Sequence, residues 1–174
     1  MAENTQEVSG EQMLELFRNT FRRHASGVVV LTANDAAGEP VGFTATSLAS
    51  LSAVPARATF NVIKRSHGYR AISIGNRVVV NFLGAETPEL GALFAGPFEQ
   101  RFAGDHWHLE DGLPVIGAAP VRLVTEVVDV YDQGDNAIVV IEILRGHLGE
   151  ERAPLVYHNR NFGTVASFAQ MAAA

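Results

Sequence analysis

Cysteine is absent from the 174-residue chain. Disulfides, thiolate metal sites and cysteine nucleophiles are therefore excluded. Basic charge is scarce: 13 Lys and Arg stand against 19 Asp and Glu, a net charge of -6. A nucleic-acid binder would show a basic stripe instead. No apolar run in the sequence approaches the ~18 residues that a membrane-spanning helix needs. Residues 1–10 are polar and acidic, unlike a signal peptide. Gly-rich phosphate loops are missing too, since neither GxGxxG nor GxxxxGK[ST] occurs. The GxSxG nucleophile elbow is absent as well. The expectation is a soluble, cytoplasmic, single-domain protein with neither nucleic acid nor membrane as a partner.

What is present is ordinary globular composition, 47% hydrophobic and 18% charged, and enough chain to bury a sizeable core. Residues 1–8 are expected to be a disordered leader, 9–165 the folded domain and 166–174 a tail. Ser9 and Gln12 form a capping-box pattern, and Leu14, Phe17, Phe21 and His24 recur at helical spacing until Ser26-Gly27 stops the helix. Residues 28–32 form a β-branched run, expected to be buried on both faces. A turn at 34–38 leads into the partner strand, so 28–47 makes a hairpin. Further strands are expected at 59–63, 77–83, 119–131, 137–148 and 155–158. Ser66 is expected to cap a short helix running to Ile74, closed by Gly75. Thr87-Pro88-Glu89 starts a second helix that reaches about Ala95. Residues 96–117 look like one long loop, a length that is usually functional.

The stretch 41–50 stands out. It begins as a strand and then turns small and hydroxyl-rich at Thr44, Ala45, Thr46 and Ser47. A core strand has no need of that. Small residues let a flat ligand approach the backbone and leave polar groups for its edge. Ser66, followed by His67-Gly68 and preceded by Lys64-Arg65, offers an anion site at a helix start. Arg101-Phe102 places a cation beside an aromatic. His106 and His108 could take a metal only with further ligands that the sequence does not specify, and a polar loop around Trp107 is the simpler reading. Asn136 suits a hairpin tip, and His158 suits the edge of a core.

In this order and spacing the pieces resemble one family: the short-chain flavin reductases of two-component monooxygenases. The similarity runs through residues 21–32, 40–47 and 61–72 around Ser66. It continues through 94–96, 101–104, 112–116, 134–136 and 154–162, nearly the whole folded part. The resemblance implies a mainly β (α+β) fold, an antiparallel split β-barrel with peripheral helices. It implies FMN or FAD as cofactor and NADH or NADPH as hydride donor. It also implies a homodimer and a transient partner, a flavin-dependent monooxygenase. By resemblance, Thr44, Ala45, Thr46, Ser47 and Asn61 hold the flavin ring. Ser66, His67, Gly68 and Arg101 hold its phosphate, with Phe102 nearby. Asn136, His158 and Phe162 fall where the nicotinamide side lies. The chain departs from the family twice: Ser66-His67-Gly68 replaces Ser-x-Thr, and Asn136 replaces a His.

If the cofactors carry the chemistry, the protein aligns them and need supply no catalytic acid, base or metal. The expected activity is hydride transfer from nicotinamide C4 to flavin N5, with reduced flavin passed to the partner. The competing expectation is a flavin-binding electron carrier, or a ligand-binding barrel, without NAD(P)H turnover.

Overall fold

A computed structural model describes residues 9–166. The expected leader at 1–8 and the tail from residue 167 lie outside the described residues. Helix α1 (Gly10–Arg22) begins with the capping box: the Gln12 N–H donates to Ser9 Oγ, and the Ser9 N–H donates to Gln12 Oε1. Its apolar face is not buried. Met13, Leu14, Leu16, Phe17 and Phe21 are each about half exposed.

Twelve strands follow, with one further α-helix and two 3₁₀ turns. The main sheet has seven antiparallel strands: β2 (Val29–Asn34), β3 (Pro40–Ala45), β4 (Ala49–Ala53), β5 (Ala56–Ile63), β6 (Arg77–Phe82), β9 (Val121–Gln133) and β10 (Asn136–Leu148). Their order across the sheet is β3-β2-β6-β9-β10-β5-β4. The sheet curls, because Val41 and Ala45 of β3 share one core with Ala58, Phe60 and Val62 of β5 from the far side. Its edges β3 and β4 do not pair, so the barrel is split and not closed. Irregularities in the β9–β10 register, between Val140 and Ile141 and between Ile143 and Arg145, add bending to the longest pair.

The apolar strands are explained by two cores. Alternate residues of β2 divide between them: Val29, Leu31 and Ala33 face the barrel interior, whereas Val30 joins a second core outside. That outer core is covered from within the chain, by α2 (Pro88–Ala95) and by a small hairpin of β7 (Trp107–Glu110) and β8 (Leu113–Ile116). Phe94 and Ile116 are completely buried there. Each such side chain contributes roughly 1.5–3 kcal/mol relative to exposure. A barrel sheathed only by a second subunit is therefore not required to bury β2. The two cores are joined by a buried polar link. Asn81 Nδ2 donates to the Val30 carbonyl at 2.9 Å and to Thr32 Oγ1 at 3.0 Å, and Asn81 Oδ1 accepts from the Ile116 N–H at 3.0 Å. This pins the β8 strand against the sheet.

Several elements differ from the expectations. Residues 96–117 are not one loop: they hold a 3₁₀ turn at Phe98–Gln100 and the β7–β8 hairpin. β4 goes unforeseen because its five residues are all exposed and, although they alternate, are small or Leu rather than β-branched or aromatic. Ser26-Gly27 does follow the helix, but as the short strand β1. It pairs with β11 (Val156–His158), which in turn pairs with β12 (Asn161–Gly163). Ser66 precedes a 3₁₀ turn at His67–Ala71 that stops short of Ile74, and its side chain makes no capping bond.

Candidate functional site

Only residues 46–48 separate β3 from β4, the two edges of the sheet. So short a link spans at most about 14 Å. The edges must meet at this corner and splay away from it, which leaves a cleft at the start of the split. The corner is tied to β5 by the Asn61 N–H, which donates to Ser47 Oγ at 2.9 Å. A cavity of about 340 Å³ opens there. It brings together Thr44, Ala45, Thr46, Ser47, Asn61 and Ser66, with Arg101 and the end of α2 closing one side. Seven of the ten residues expected at a cofactor therefore share one cavity.

The hydroxyls of this wall are largely used by the protein itself. Thr44 Oγ1 donates to the Gly91 carbonyl of α2 at 2.7 Å. Ser47 Oγ serves β5, as above. What stays available is backbone: the N–H groups of Thr46 and Ser47 donate no backbone hydrogen bond among the described residues. A side-chain hydroxyl is available as well. Ser66 Oγ is buried and has no partner among the described residues. Leaving a buried hydroxyl unpaired costs about 1–3 kcal/mol. A site that receives a polar ligand group explains such an atom, and the anion expected beside Ser66 is such a group.

The cations near that end differ from the simple reading. Lys64 Nζ is paired with the Asp132 carboxylate at the tip of the β9–β10 hairpin. That hydrogen bond raises the Lys64 pKa and holds Asp132 below the usual carboxylate range, with the Gly134 N–H helping. Arg101 fans its guanidinium over backbone: Nη1 donates to the Gly42 carbonyl at 2.7 Å and Nη2 to the Gly96 carbonyl at 2.7 Å. Burial pulls its pKa down and Glu99 pushes it up, but a guanidinium stays charged. Arg101 therefore fixes the strand that carries the wall and still lines the cavity. His67 does not line it. Its ring stacks on Phe98 at 4.1 Å. Gly68 lies against Phe43, where a Cβ would come within 2.2 Å of the ring. Phe102 is not in the cavity either. It packs edge-on against Phe94 and Trp107 in the outer core, behind Gly42.

A second cavity of about 490 Å³ adjoins the first and shares Thr44, Thr46 and Ala95 with it. Phe162 lines it. Tyr157 and Arg160 line it too, with no role assigned to them from sequence. The signal that could have found Arg160 is the two-residue spacing between β11 and β12, which marks a tight hairpin turn. Asn136 and His158 are exposed and line neither cavity. Asn136 pairs with Ile63 on β5, and His158 with Asn161. His106 Nε2 lies 2.7 Å from the Arg101 carbonyl and its ring meets the edge of Phe94, so it braces the loop that carries Arg101.

Comparison with known proteins places this geometry among relatives. The model of the flavin reductase-like domain matches residues 21–166. An NADH:FMN oxidoreductase of Rhodococcus erythropolis is 34% identical over 152 residues, covering 84% of this chain and 79% of that protein. The reductase component of 4-hydroxyphenylacetate 3-monooxygenase from Pseudomonas aeruginosa is 30% identical, covering 87% of this chain and 92% of its own length. Among solved structures, a flavin reductase domain protein from Arthrobacter sp. FB24 aligns with a TM-score of 0.84 at 38% identity, over 89% of this chain and 97% of that one.

Proposed function

Because this chain belongs to the flavin reductase-like domain family, we propose that it is an NAD(P)H-dependent flavin oxidoreductase that supplies reduced flavin to a partner monooxygenase. The observation that carries the reading is the cavity at the split, where the Thr44–Ser47 wall meets the buried, unpartnered hydroxyl of Ser66. These residues fit FMN or the FMN half of FAD. The chemistry supplied by the cofactors is hydride transfer from reduced nicotinamide to flavin.

The chain's part is to bind and orient. The free N–H groups of Thr46 and Ser47 bond the polar edge of the ring, and the small side chain of Ala45 permits close approach. Asn61, held by Ser47, forms the facing wall. Ser66 donates to the phosphate, and Arg101 adds a fixed positive charge nearby. His67 and Gly68 shape the turn that presents Ser66, and Phe102 supports Gly42 from behind. Phe162 offers a flat surface for the nicotinamide. Asn136 and His158, away from the cavities, act on that side only if a second copy brings them there. No side chain is assigned a proton transfer.

A homodimer in the cytoplasm completes the reading. Exposed Phe17 and Phe21 on α1, and Leu51 on the unpaired edge β4, support a second copy as their cover. Light scattering should give about twice the 18.7 kDa of the chain; a monomer at micromolar concentration would refute the dimer. The deciding assay for function is oxidation of NADH and of NADPH with FMN or FAD added. Turnover with at least one pair is expected. Flavin binding without turnover would make the protein an electron carrier instead, and no flavin affinity would sink both readings.

A further inference from the structure

We propose that Arg160 anchors the diphosphate of the dinucleotide hydride donor, which lies across two cavities that meet at this side chain; the inference rests on the flavin-reductase reading above. The first cavity is the one of about 490 Å³ against the flavin wall. Its aromatic side is built from Tyr157 and Phe162, whose rings lie 5.3 Å apart. Phe162 is held in place by α2, where a Cβ on Gly91 would come within 3.1 Å of its ring. A flat ring can stack there while remaining beside Thr44 and Thr46.

The second cavity, also about 490 Å³, lies against α1 and is lined by Glu11, Glu15, Arg18 and Arg22. Among the described residues, Arg160 is the one common to both. The succession is aromatic cavity, guanidinium, second cavity. A nicotinamide dinucleotide has the matching order of flat ring, diphosphate and adenosine. A guanidinium suits the middle position, because its planar fork can bond two phosphate oxygens at once.

Other cations are less suited. Arg101 already serves the Gly42 and Gly96 carbonyls. Arg18 and Arg22 share their cavity with two carboxylates and do not reach the first. Arg160 is exposed and forms no ion pair among the described residues. Its backbone is nevertheless fixed. Asn159 and Arg160 have φ of 50° and 65°, a left-handed turn that side-chain-bearing residues seldom adopt. The turn is held by the Asn159 N–H donating to the Arg22 carbonyl at 2.8 Å and by Asn161 Nδ2 donating to the Asn159 carbonyl at 3.0 Å. The side chain that carries the cation is thus rooted at the junction on a fixed backbone.

The test uses the full chain and two variants, Arg160→Ala and Arg160→Gln, the second preserving side-chain bulk should the first disturb the turn. ADP-ribose, which carries the diphosphate and adenosine without nicotinamide, is titrated by calorimetry. The wild type should bind it, and both variants should bind at least tenfold more weakly. In steady-state assays KM for NADH should rise about tenfold or more. With 1-benzyl-1,4-dihydronicotinamide, a donor without phosphate, the loss should be at least tenfold smaller than with NADH. Equal ADP-ribose affinity in wild type and variants, or none in the wild type, overturns the proposal. Equal losses with the two donors overturn it as well, since Arg160 would then be maintaining the fold. Failure of the wild type to oxidise any donor with either flavin overturns the flavin-reductase reading, and the ADP-ribose titration still decides on the anchor.

Discussion

Replacing Ser66 by alanine should stabilise the ligand-free protein and weaken its hold on FMN. The two effects have opposite signs and one cause. Ser66 Oγ is buried without a partner among the described residues, and its side chain makes no capping bond to the turn at His67–Ala71. Nothing in the free protein is lost with the hydroxyl except slight packing. An unsatisfied buried hydroxyl costs about 1–3 kcal/mol, so Ser66→Ala should recover roughly 1–2 kcal/mol. For a chain of this size each kcal/mol shifts the melting temperature by roughly 2–4 °C, which puts the gain at roughly 2–8 °C. Flavin reverses the sign. A hydrogen bond to a charged acceptor is worth about 1.5–3 kcal/mol, and about 1.4 kcal/mol is a factor of ten. The affinity for FMN should therefore fall about 10- to 100-fold. Riboflavin has the same ring and no phosphate, and its affinity should change less than about twofold on the same reasoning. Thermal unfolding with and without FMN, beside fluorescence titrations of both flavins, reads all three quantities. A lower melting temperature in the free variant would show that the hydroxyl is already satisfied. Equal losses for FMN and riboflavin would put the phosphate elsewhere.

Two further perturbations probe the frame around that atom. Gly68→Ala places a Cβ about 2.2 Å from Cδ1 of Phe43, a residue that lines the cavity at the split, where the proposed function puts flavin. Overpacking of this kind costs about 1–3 kcal/mol, and the displaced ring should weaken FMN and riboflavin alike; unchanged unfolding and affinity would mean the turn yields freely. Lys64→Ala should return the Asp132 pKa toward the ordinary carboxylate value, because the Lys64 hydrogen bond is the largest cause of its depression. The stability from this pair is present above the unfolded carboxylate pKa and is lost as pH falls through the depressed folded value. An NMR titration of the Asp132 side chain that is the same in both proteins would refute the assignment.

Much of the fold is legible because burial writes itself into residue type. The runs 29–31, 78–80 and 139–141 are apolar at successive positions because both of their faces are covered, for β2 by the barrel interior on one side and by the outer core on the other. The Ser9–Gln12 capping box and the Pro88 helix start are local chemistry and hold as local rules predict. β4 escapes notice because it is an exposed edge of Ala, Ser and Leu: its alternation is short and lacks the β-branched and aromatic residues that mark a strand. The split of the barrel is legible only through the resemblance to a family, not through the strands themselves. Closure depends on whether β3 and β4 pair, and strand composition carries no trace of a hydrogen bond that is not made.

The hydroxyl-rich stretch 44–47 shows what a site can and cannot disclose through its residues. Its composition singles it out, because a core strand needs no such groups, and the stretch lines a cavity. The reason for the groups is different from the obvious one. Thr44 and Ser47 direct their hydroxyls at the backbone of α2 and β5, and Arg101 directs its guanidinium at the carbonyls of Gly42 and Gly96. These side chains hold the cleft open and rigid. The bonds left for a ligand include the N–H groups at the sheet corner, the exposed hydroxyl of Thr46 and the buried hydroxyl of Ser66. The first and the last cannot be told from sequence: a free N–H exists because the chain turns from one sheet edge to the other within three residues, and an unpaired buried hydroxyl exists because its turn is 3₁₀ and uncapped. Residue type thus locates the wall, while the groups left free to bond a ligand are set largely by topology.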